Sequence, residues 1–306
     1  GHLCPRAPLD RKSQWFTPGE FMAEDDPKTL VSTAWLARHI KDPDLRILDG
    51  SWHMPDAGRD ARAEYEAAHI PGARFFDIDD ISDARSDLPH MVPPVEKFMS
   101  RMRALGVGDG HQVVVYDSVG LFSAARVWWL FRLMGQENVA VLDGGLAKWT
   151  AEGRETEDMA PIIRDRHMTV RVQNSLVRDV TQVSAASKLK THAIVDARAA
   201  PRFRGDAPEP RAGLRAGHIP GSRNVPYASL LNDDGTMKSP EDTRAIFEAA
   251  GVDLSKPVIT SCGSGVTAAI LSLALERLGK TDHSLYDGSW AEWGQFPTVP
   301  VATGEA

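Results

Sequence analysis

The sequence contains very few cysteines. Only Cys4 and Cys262 occur among the 306 residues. Two cysteines so far apart form no Cys-x-x-Cys pair and no zinc-finger spacing, so the sequence predicts neither a disulfide framework nor a cysteine-based metal site. We predict no metal and no cofactor. Unpaired thiols are typical of a reducing compartment, and we therefore expect a cytoplasmic protein.

The chain also lacks an excess of positive charge and any long apolar run. It has 35 Lys and Arg against 42 Asp and Glu, a formal net charge of −7, which argues against a nucleic-acid-binding surface. No apolar stretch approaches the roughly 20 residues that cross a bilayer, so we expect no membrane partner. Residues 1–26 show neither a signal-peptide pattern nor a helical period, and we expect a tail there, with Met22 as a candidate native start.

What the chain does contain is an internal repeat. The His-Ile-Pro-Gly motif at residues 69–72 recurs at residues 218–221, an offset of 149 residues (218 − 69). The Asp-Gly-Gly segment at 143–145 matches Asp-Gly-Ser at 287–289, an offset of 144 residues (287 − 143). Because the matches keep their order and nearly constant spacing, they predict a tandem duplication of a unit of about 130 residues.

Each unit alternates short β-branched strands with helical patterns. This alternation is typical of a parallel sheet covered by helices on both faces, so we predict an α/β fold built from two such domains. We place the first domain at residues 27–150, a linker at 151–169 and the second domain at 170–301. A cleft between two domains is the usual place for a ligand.

The periodicity predicts six helices and six strands in these domains. The predicted helices are 32–41, 95–105, 123–134, 175–190, 239–250 and 267–278. The predicted strands are 46–49, 113–117, 138–142, 193–196, 258–261 and 284–286.

Cys262 stands in the most informative stretch of the chain, where a buried strand leads through a glycine-rich turn into a helix. Gly263 and Gly265 allow the backbone to curl so that N–H groups point at one sulfur, and the helix from about Val266 adds the positive end of its dipole. Both effects favour the thiolate, which is the nucleophilic form. The alternative is a buried structural cysteine, which would not need these glycines.

The first unit differs from the second at this position. Alignment places Asp117 opposite Cys262, an offset of 145 residues (262 − 117), so only the second unit can perform thiol chemistry. The loop at 117–123 also lacks the glycine pattern of a sulfur cradle. We expect the first unit to give structural support and one wall of the cleft.

These motifs resemble the two-domain rhodanese-like sulfurtransferases over about residues 27–301. The resemblance rests on both His-Ile-Pro-Gly motifs, both Asp-Gly segments, the arginine-rich stretch 202–211 and, most specifically, the loop 262–267. The thiosulfate-preferring branch of this family has Arg and Lys directly after the cysteine. Here Gly263 and Ser264 take those places, which implies the branch that uses 3-mercaptopyruvate.

The resemblance implies two rhodanese-like domains, of which the second is catalytic, and a covalent mechanism. The Cys262 thiolate would attack the sulfur of 3-mercaptopyruvate, form a persulfide and release pyruvate. A thiol, with thioredoxin as one candidate, or cyanide would then accept the sulfur.

The family also implies a cationic clamp for the substrate carboxylate, formed here by Arg202 and Arg211. Arginine suits this role because its planar guanidinium binds a carboxylate bidentately. The alternative is that Arg202, Arg204 and Arg211 are surface charges of a solvated loop. The implied substrate-binding set also includes the loop residues Gly263, Gly265, Val266 and Thr267.

The departing enolate of pyruvate needs a proton. The resemblance implies that Ser264 supplies it together with His90 and Asp79 of the first domain, where an aspartate would fix the imidazole tautomer. The alternatives are that Asp79 is a solvated carboxylate and that His90 only shapes the cleft.

Other conspicuous residues have structural interpretations. His69 and His218 open the same motif in both units, including the unit without a thiol, so a shared structural role explains both. We interpret the tryptophans as core residues: Trp128, Trp129, Trp149, Trp290 and Trp293.

Three other functions are alternatives to sulfur transfer from 3-mercaptopyruvate. A cysteine phosphatase would need an arginine six positions after the cysteine, where this chain has Ala268. A thiosulfate:cyanide sulfurtransferase is the nearest rival. A noncatalytic sulfur-carrier module is the third, and the intact loop with its arginines argues against it.

Overall fold

The protein is described by a computed structural model that covers residues 25–306. The predicted tail, including Cys4 and Met22, lies outside the described residues except for Asp25 and Asp26. Among the described residues no helix has both the length and the apolar character that a bilayer crossing requires.

Two five-stranded sheets form the framework, and all neighbouring strands are parallel. The first sheet contains β1 (Leu30–Val31), β2 (Leu45–Asp49), β3 (Arg74–Phe75), β4 (Gln112–Tyr116) and β5 (Val139–Leu142), in the order β1-β5-β4-β2-β3. The second contains β6 (Val177–Arg178), β7 (Ala193–Asp196), β8 (Arg223–Asn224), β9 (Val258–Ser261) and β10 (His283–Tyr286), in the order β6-β10-β9-β7-β8. The same order occurs twice, which confirms the tandem α/β duplication.

Ten α-helices connect and cover these strands among the described residues. In the first domain they are α1 (Thr33–His39), α2 (Ala61–Ala67), α3 (Val95–Leu105), α4 (Ala124–Leu133) and α5 (Gly145–Ala151). In the second they are α6 (Val180–Leu189), α7 (Ala200–Arg204), α8 (Pro240–Ala249), α9 (Ala268–Arg277) and α10 (Ser289–Trp293).

Both faces of each sheet are buried, as expected for parallel sheets. Along β4, Val113 and Val115 join the large core, whereas Val114 and Tyr116 join a separate core on the opposite face. The large core continues through both domains because α4 packs against α9 across their boundary. The two domains therefore meet along one continuous apolar surface.

The predicted helix over 175–190 is wrong in its first part. A 3₁₀ turn over Asn174–Leu176 and the strand β6 precede the helix, which begins at Val180. The start is fixed by a capping box, in which the Asp179 carboxylate accepts the Gln182 N–H and the Gln182 side chain accepts the Asp179 N–H.

The two motif histidines have the structural role that the repeat indicates. His69 Nδ1 lies 2.7 Å from the Tyr65 carbonyl oxygen, and His218 Nδ1 lies 2.8 Å from that of Phe203. Each ring also stacks on the aromatic ring of the same partner. The five tryptophans are at most 3% exposed, which confirms them as core residues.

Candidate active site

Cys262 lies directly after β9, at the carboxyl end of the second sheet, where ligands bind in open α/β folds. Its Sγ accepts the Gly265 N–H at 3.1 Å. Its own N–H donates to Ser289 Oγ, and its carbonyl accepts the Trp290 N–H. The sequence predicts several amides around the sulfur. Within the described residues, Gly265 provides the one hydrogen bond to Sγ.

Gly265 is the position in this loop where glycine is required. Its φ is +82°, in the left-handed region, and an added Cβ would lie 2.9 Å from the Asp287 carbonyl oxygen. The prediction that glycine shapes the loop therefore has a specific steric basis.

A cavity of about 220 Å³ adjoins the thiol, with walls from both domains. Trp52 and Phe122 of the first domain stack with their centroids 6.1 Å apart, and Tyr227 of the second lies 5.8 Å from Phe122. The polar lining includes Ser264, Thr267, Arg198, Arg202 and Arg211. The ligand cleft expected between the domains is thus a shared cavity with one thiol.

Arg202 and Arg211 both reach this cavity. A Cβ added at Gly263 would lie 3.0 Å from Arg202 Nη2 and 3.9 Å from Arg211 Nη1. The missing side chain at Gly263 therefore makes room for two guanidinium groups beside the cysteine. The structure brings together the thiol and the two arginines that the sequence singles out.

Glu209, which sequence reasoning missed, holds one of these arginines. Its Oε2 accepts from Arg202 Nε at 3.2 Å and from Nη2 at 2.6 Å, while its Oε1 accepts from Arg198 at 2.5 Å. Among the described residues, Arg211 forms no side-chain hydrogen bond, and burial lowers its pKa. Arg202 is thus oriented by the protein, whereas Arg211 retains its donors for a ligand.

His90 and Asp79 are neighbours at the first-domain side of the site. His90 Nδ1 lies 3.3 Å from Asp79 Oδ1, but the angle does not make a hydrogen bond, and neither ring nitrogen has a partner among the described residues. Trp52 Nε1 donates to the same Asp79 oxygen at 3.2 Å. Ser264 lines the cavity without a hydrogen bond to either residue in the described structure.

Burial shifts the pKa values of both His90 and Asp79. Desolvation, with the positive charges of Arg126 and Arg211, lowers the pKa of His90 to about 3, so its imidazole is neutral near pH 7. Desolvation and the nearby Asp77 raise the pKa of Asp79. His90 can therefore pass a proton on but cannot store a positive charge.

The first domain has a cradle at the equivalent position. Asp117 Oδ2 accepts the N–H groups of Phe122, Ser123 and Ala124 at 2.8, 2.9 and 2.9 Å. The loop lacks the glycine pattern, as the sequence indicates, yet it still surrounds an anion with amides. A carboxylate permanently fills the place of the thiolate.

Sequence reasoning also missed a buried ion pair between the domains. Arg126 Nη1 lies 2.7 Å from Asp287 Oδ1, and both side chains are almost fully buried. The sequence does contain a signal for this ion pair, because Arg126 is the only charged residue in the apolar stretch 124–131. A lone charge inside such a helix needs a specific buried partner.

Potential metal ligands are dispersed in the described part of the chain. Residues 25–306 contain no group of three or more His, Cys, Asp or Glu side chains placed to hold a metal ion.

Comparison with known proteins gives consistent matches over both domains. A family model for the rhodanese-like domain matches residues 32–152 and 179–296. The chain is 45% identical to 3-mercaptopyruvate sulfurtransferase from Escherichia coli over 89% of this chain and 97% of that protein. It is 43% identical to the mitochondrial thiosulfate/3-mercaptopyruvate sulfurtransferase 1 of Arabidopsis thaliana, over 90% of this chain and 79% of that protein.

A solved structure also matches the fold. The crystal structure of SseA, a 3-mercaptopyruvate sulfotransferase from Escherichia coli, superposes with a TM-score of 0.79 at 43% sequence identity. The match covers 85% of this chain and 98% of that one.

Proposed function

The chain belongs to the rhodanese-like family, and from this premise we propose that it transfers the sulfur of 3-mercaptopyruvate to a thiol or cyanide through a persulfide on Cys262. The observation that carries the proposal is the shared cavity, in which the Cys262 thiol faces the guanidinium groups of Arg202 and Arg211. The sulfurtransferases that resemble the chain over most of its length support it.

The first step transfers sulfur from carbon to Cys262. The thiolate attacks the substrate sulfur, a sulfur–sulfur bond forms, and the bond between sulfur and C3 breaks. Its electron pair passes to the pyruvate enolate, which takes a proton at C3 and leaves as pyruvate. The thiol proton of the substrate remains on the outer sulfur or passes to solvent, so Cys262 carries a persulfide.

The two arginines would hold the substrate by its carboxylate. Glu209 fixes Arg202, and Arg211 forms no side-chain hydrogen bond within residues 25–306, so together they can receive a carboxylate while the thiol end points to Cys262. The same positive charges would stabilise the enolate as it forms.

We propose Ser264 as the nearest proton donor, with His90 and Asp79 behind it. His90 is neutral near pH 7 and can exchange a proton through its ring nitrogens, while Asp79 lies 3.3 Å from Nδ1. The relay requires small movements of these side chains when substrate enters, because hydrogen bonds at catalytic sites often tighten only on binding.

The second step regenerates the enzyme. An acceptor thiolate attacks the outer sulfur of the persulfide, a new persulfide forms on the acceptor, and Cys262 leaves as a thiolate. A protein thiol such as thioredoxin or a small thiol would serve, and cyanide would take the same sulfur atom to become thiocyanate. The chemistry requires reduced Cys262, which is the basis for proposing a reducing compartment such as the cytoplasm.

The experiment that tests the proposed function compares two donors. We expect kcat/KM with 3-mercaptopyruvate to exceed that with thiosulfate, because Gly263 and Ser264 add no positive charge beside the thiol for a dianion. Both donors are assayed with one thiol acceptor. A preference for thiosulfate would favour the rival function, which the name of the A. thaliana relative also includes.

The carboxylate clamp has its own test. Arg202→Ala or Arg211→Ala should lower kcat/KM for 3-mercaptopyruvate by about 10- to 150-fold, equivalent to about 1.5–3 kcal/mol for a lost hydrogen bond to a charged group. Arg204→Ala is the matched control, because Arg204 lies on the same helix as Arg202 but pairs with exposed Asp206. Equal effects of all three substitutions would refute the clamp.

A further inference from the structure

A buried arginine of the first domain reaches into the sulfur loop of the second. Arg126 lies on α4 and is 1% exposed. Its Nη1 donates to the Gly265 carbonyl at 3.1 Å and to Asp287 at 2.7 Å, and its Nη2 donates to the His90 carbonyl. One guanidinium therefore contacts the sulfur loop, the His90 loop and a buried carboxylate.

The contact with Gly265 bears directly on the thiol. Gly265 is the residue whose N–H donates to Cys262 Sγ, and its carbonyl is held by Arg126. The N–H and the carbonyl of Gly265 belong to adjacent peptide planes that meet at a flexible glycine with φ +82°, so a bond that holds the carbonyl also restrains the direction of the N–H. Arg126 supplies that restraint from the other domain.

The contact with His90 restrains a second predicted catalytic residue. His90 has φ +60°, an unusual conformation for a residue other than glycine. Arg126 binds its carbonyl, and Asp287 Oδ2 accepts the Val92 N–H at 2.7 Å. The Arg126–Asp287 pair thus fixes both loops relative to each other.

A mirror contact at the equivalent place in the other domain lacks the arginine. There, Asp143 Oδ1 accepts the Met237 N–H at 2.8 Å, which repeats the Asp287–Val92 contact with the domains exchanged. The position equivalent to Arg126, at the offset of 145 residues that relates Asp117 to Cys262 (126 + 145), is Leu271. The domain interface therefore forms this contact twice. Among the described residues, only the contact beside the thiol has an arginine hydrogen-bonded to its carboxylate, whereas Arg277 near Asp143 donates to the Lys238 carbonyl instead.

From this asymmetry we infer that Arg126 is a positioning residue for sulfur transfer. It orients the Gly265 amide toward Cys262 Sγ and holds the loop of His90, whose ring packs against the cavity residue Trp52, without touching substrate itself. The expected effect of Arg126 on turnover rests on the proposed function, whereas its expected effect on the thiol rests on geometry alone. Loss of one oriented donor at a reacting anion lowers kcat by about 100-fold or more, and a loosened donor should lower it by about 10- to 100-fold.

The test uses the full chain with Arg126→Lys, Arg126→Gln and the pair Arg126→Gln with Asp287→Asn. The paired variant leaves no buried charge unpaired, which guards against a failure to fold. Asp143→Ala is the matched control, because it breaks the mirror contact on the side without a thiol. Circular dichroism and the melting temperature establish that each variant is folded.

Three measurements distinguish a positioning role of Arg126 from a general contribution to the stability of the fold. In folded Arg126 variants we expect kcat for 3-mercaptopyruvate to fall 10- to 100-fold, donor KM to change less than threefold, and alkylation of Cys262 by iodoacetamide near pH 7 to slow at least fivefold. Lysine should restore part of kcat, because it can still donate to the Gly265 carbonyl. Asp143→Ala should leave all three readouts near the wild-type values.

Two results would overturn the inference. One is a folded Arg126 variant, single or paired, with wild-type kcat and alkylation rate. The other is an equal loss in Asp143→Ala, which would make both contacts merely structural. If the wild-type protein transfers no sulfur from 3-mercaptopyruvate, the proposed function fails, while the alkylation rates still decide whether Arg126 positions the thiol loop.

Discussion

The two domains have the same strand order but different groups at the carboxyl end of the central strand. Cys262 follows β9, whereas Asp117 follows β4 and accepts three amide N–H groups at the start of α4. In both domains this loop donates backbone N–H groups to the side chain that follows the central strand, three to Asp117 Oδ2 and one to Cys262 Sγ. The fold therefore needs an acceptor for these N–H groups, whereas sulfur transfer needs that acceptor to be a thiolate.

A second difference concerns the neighbouring strand. Asp196 at the end of β7 pairs with buried Arg198, whereas its equivalent Asp49 has Ser51 in that place, at the same offset of 147 residues (196 − 49 and 198 − 51). Without an arginine, burial raises the pKa of Asp49 to about 6. The second domain therefore contains a buried arginine, Arg198, whose partner Glu209 also binds Arg202 of the proposed clamp.

Removal of the thiol should produce the largest effect. Cys262→Ser should abolish sulfur transfer from both donors, because a hydroxyl cannot form a persulfide. The melting temperature should change little, since serine can accept the same Gly265 N–H. Cys4→Ser is the control and should keep full turnover. Sulfur transfer by Cys262→Ser would place the chemistry elsewhere.

Removal of the first-domain anion should affect stability instead. Asp117→Ala leaves four amides without their acceptor, that of Val119 and three at the start of α4, and should lower the free energy of unfolding by about 3 to 4 kcal/mol. Urea denaturation measures this effect, and Cys262→Ala, which removes the acceptor of one amide, should lose less. A larger loss of unfolding free energy in Cys262→Ala would contradict the view that the Asp117 loop depends more on its acceptor than the Cys262 loop does.

Neutralising Asp143 and neutralising Asp287 should change the free energy of unfolding in opposite directions. Burial raises the pKa of Asp143 to about 6, so between about pH 4 and 6 the unfolded chain has lost a proton that the folded chain still holds. Stability therefore falls across this window as the pH rises. Asp143→Asn keeps an oxygen that accepts the Met237 N–H and removes the loss of stability at rising pH. This variant should be more stable than wild type above pH 6 by about 1 kcal/mol.

Asp287→Asn is the comparison for that prediction. It should be less stable than wild type at the same pH because buried Arg126 loses its anion. Urea denaturation at pH 4, 6 and 8 distinguishes the two variants. Equal shifts in the same direction would contradict the view that only Asp287 has an arginine bound directly to its carboxylate, while Arg277 and Lys148 act on Asp143 without such a bond.

Much of the architecture was predictable because the repeat and the strand patterns are long-range signals. The predicted helix at 95–105 and the strands at 193–196 and 258–261 agree with the structure. Two-residue strands such as β3 and β8 were missed, since so short a segment has no measurable period. The start of α6 was missed because the capping box at Asp179 outweighs the propensity of the preceding residues.

The site was predictable where residue type and neighbours define the chemistry. Cys262 stands out through its flanking glycines, and Arg202 and Arg211 through the family motif. Contacts between segments distant in sequence were not predictable. Arg126 meets Gly265 across 139 positions and Asp287 across 161, and no local pattern encodes those pairings.

The most direct test of the account is the mass of the protein, with peptide mapping, after incubation with 3-mercaptopyruvate and no acceptor. We expect the gain of one sulfur atom per chain, located on Cys262, and its loss when a thiol is added. No sulfur gain, or a sulfur located outside the loop at 262–267, would contradict the assignment of sulfur transfer to the second domain.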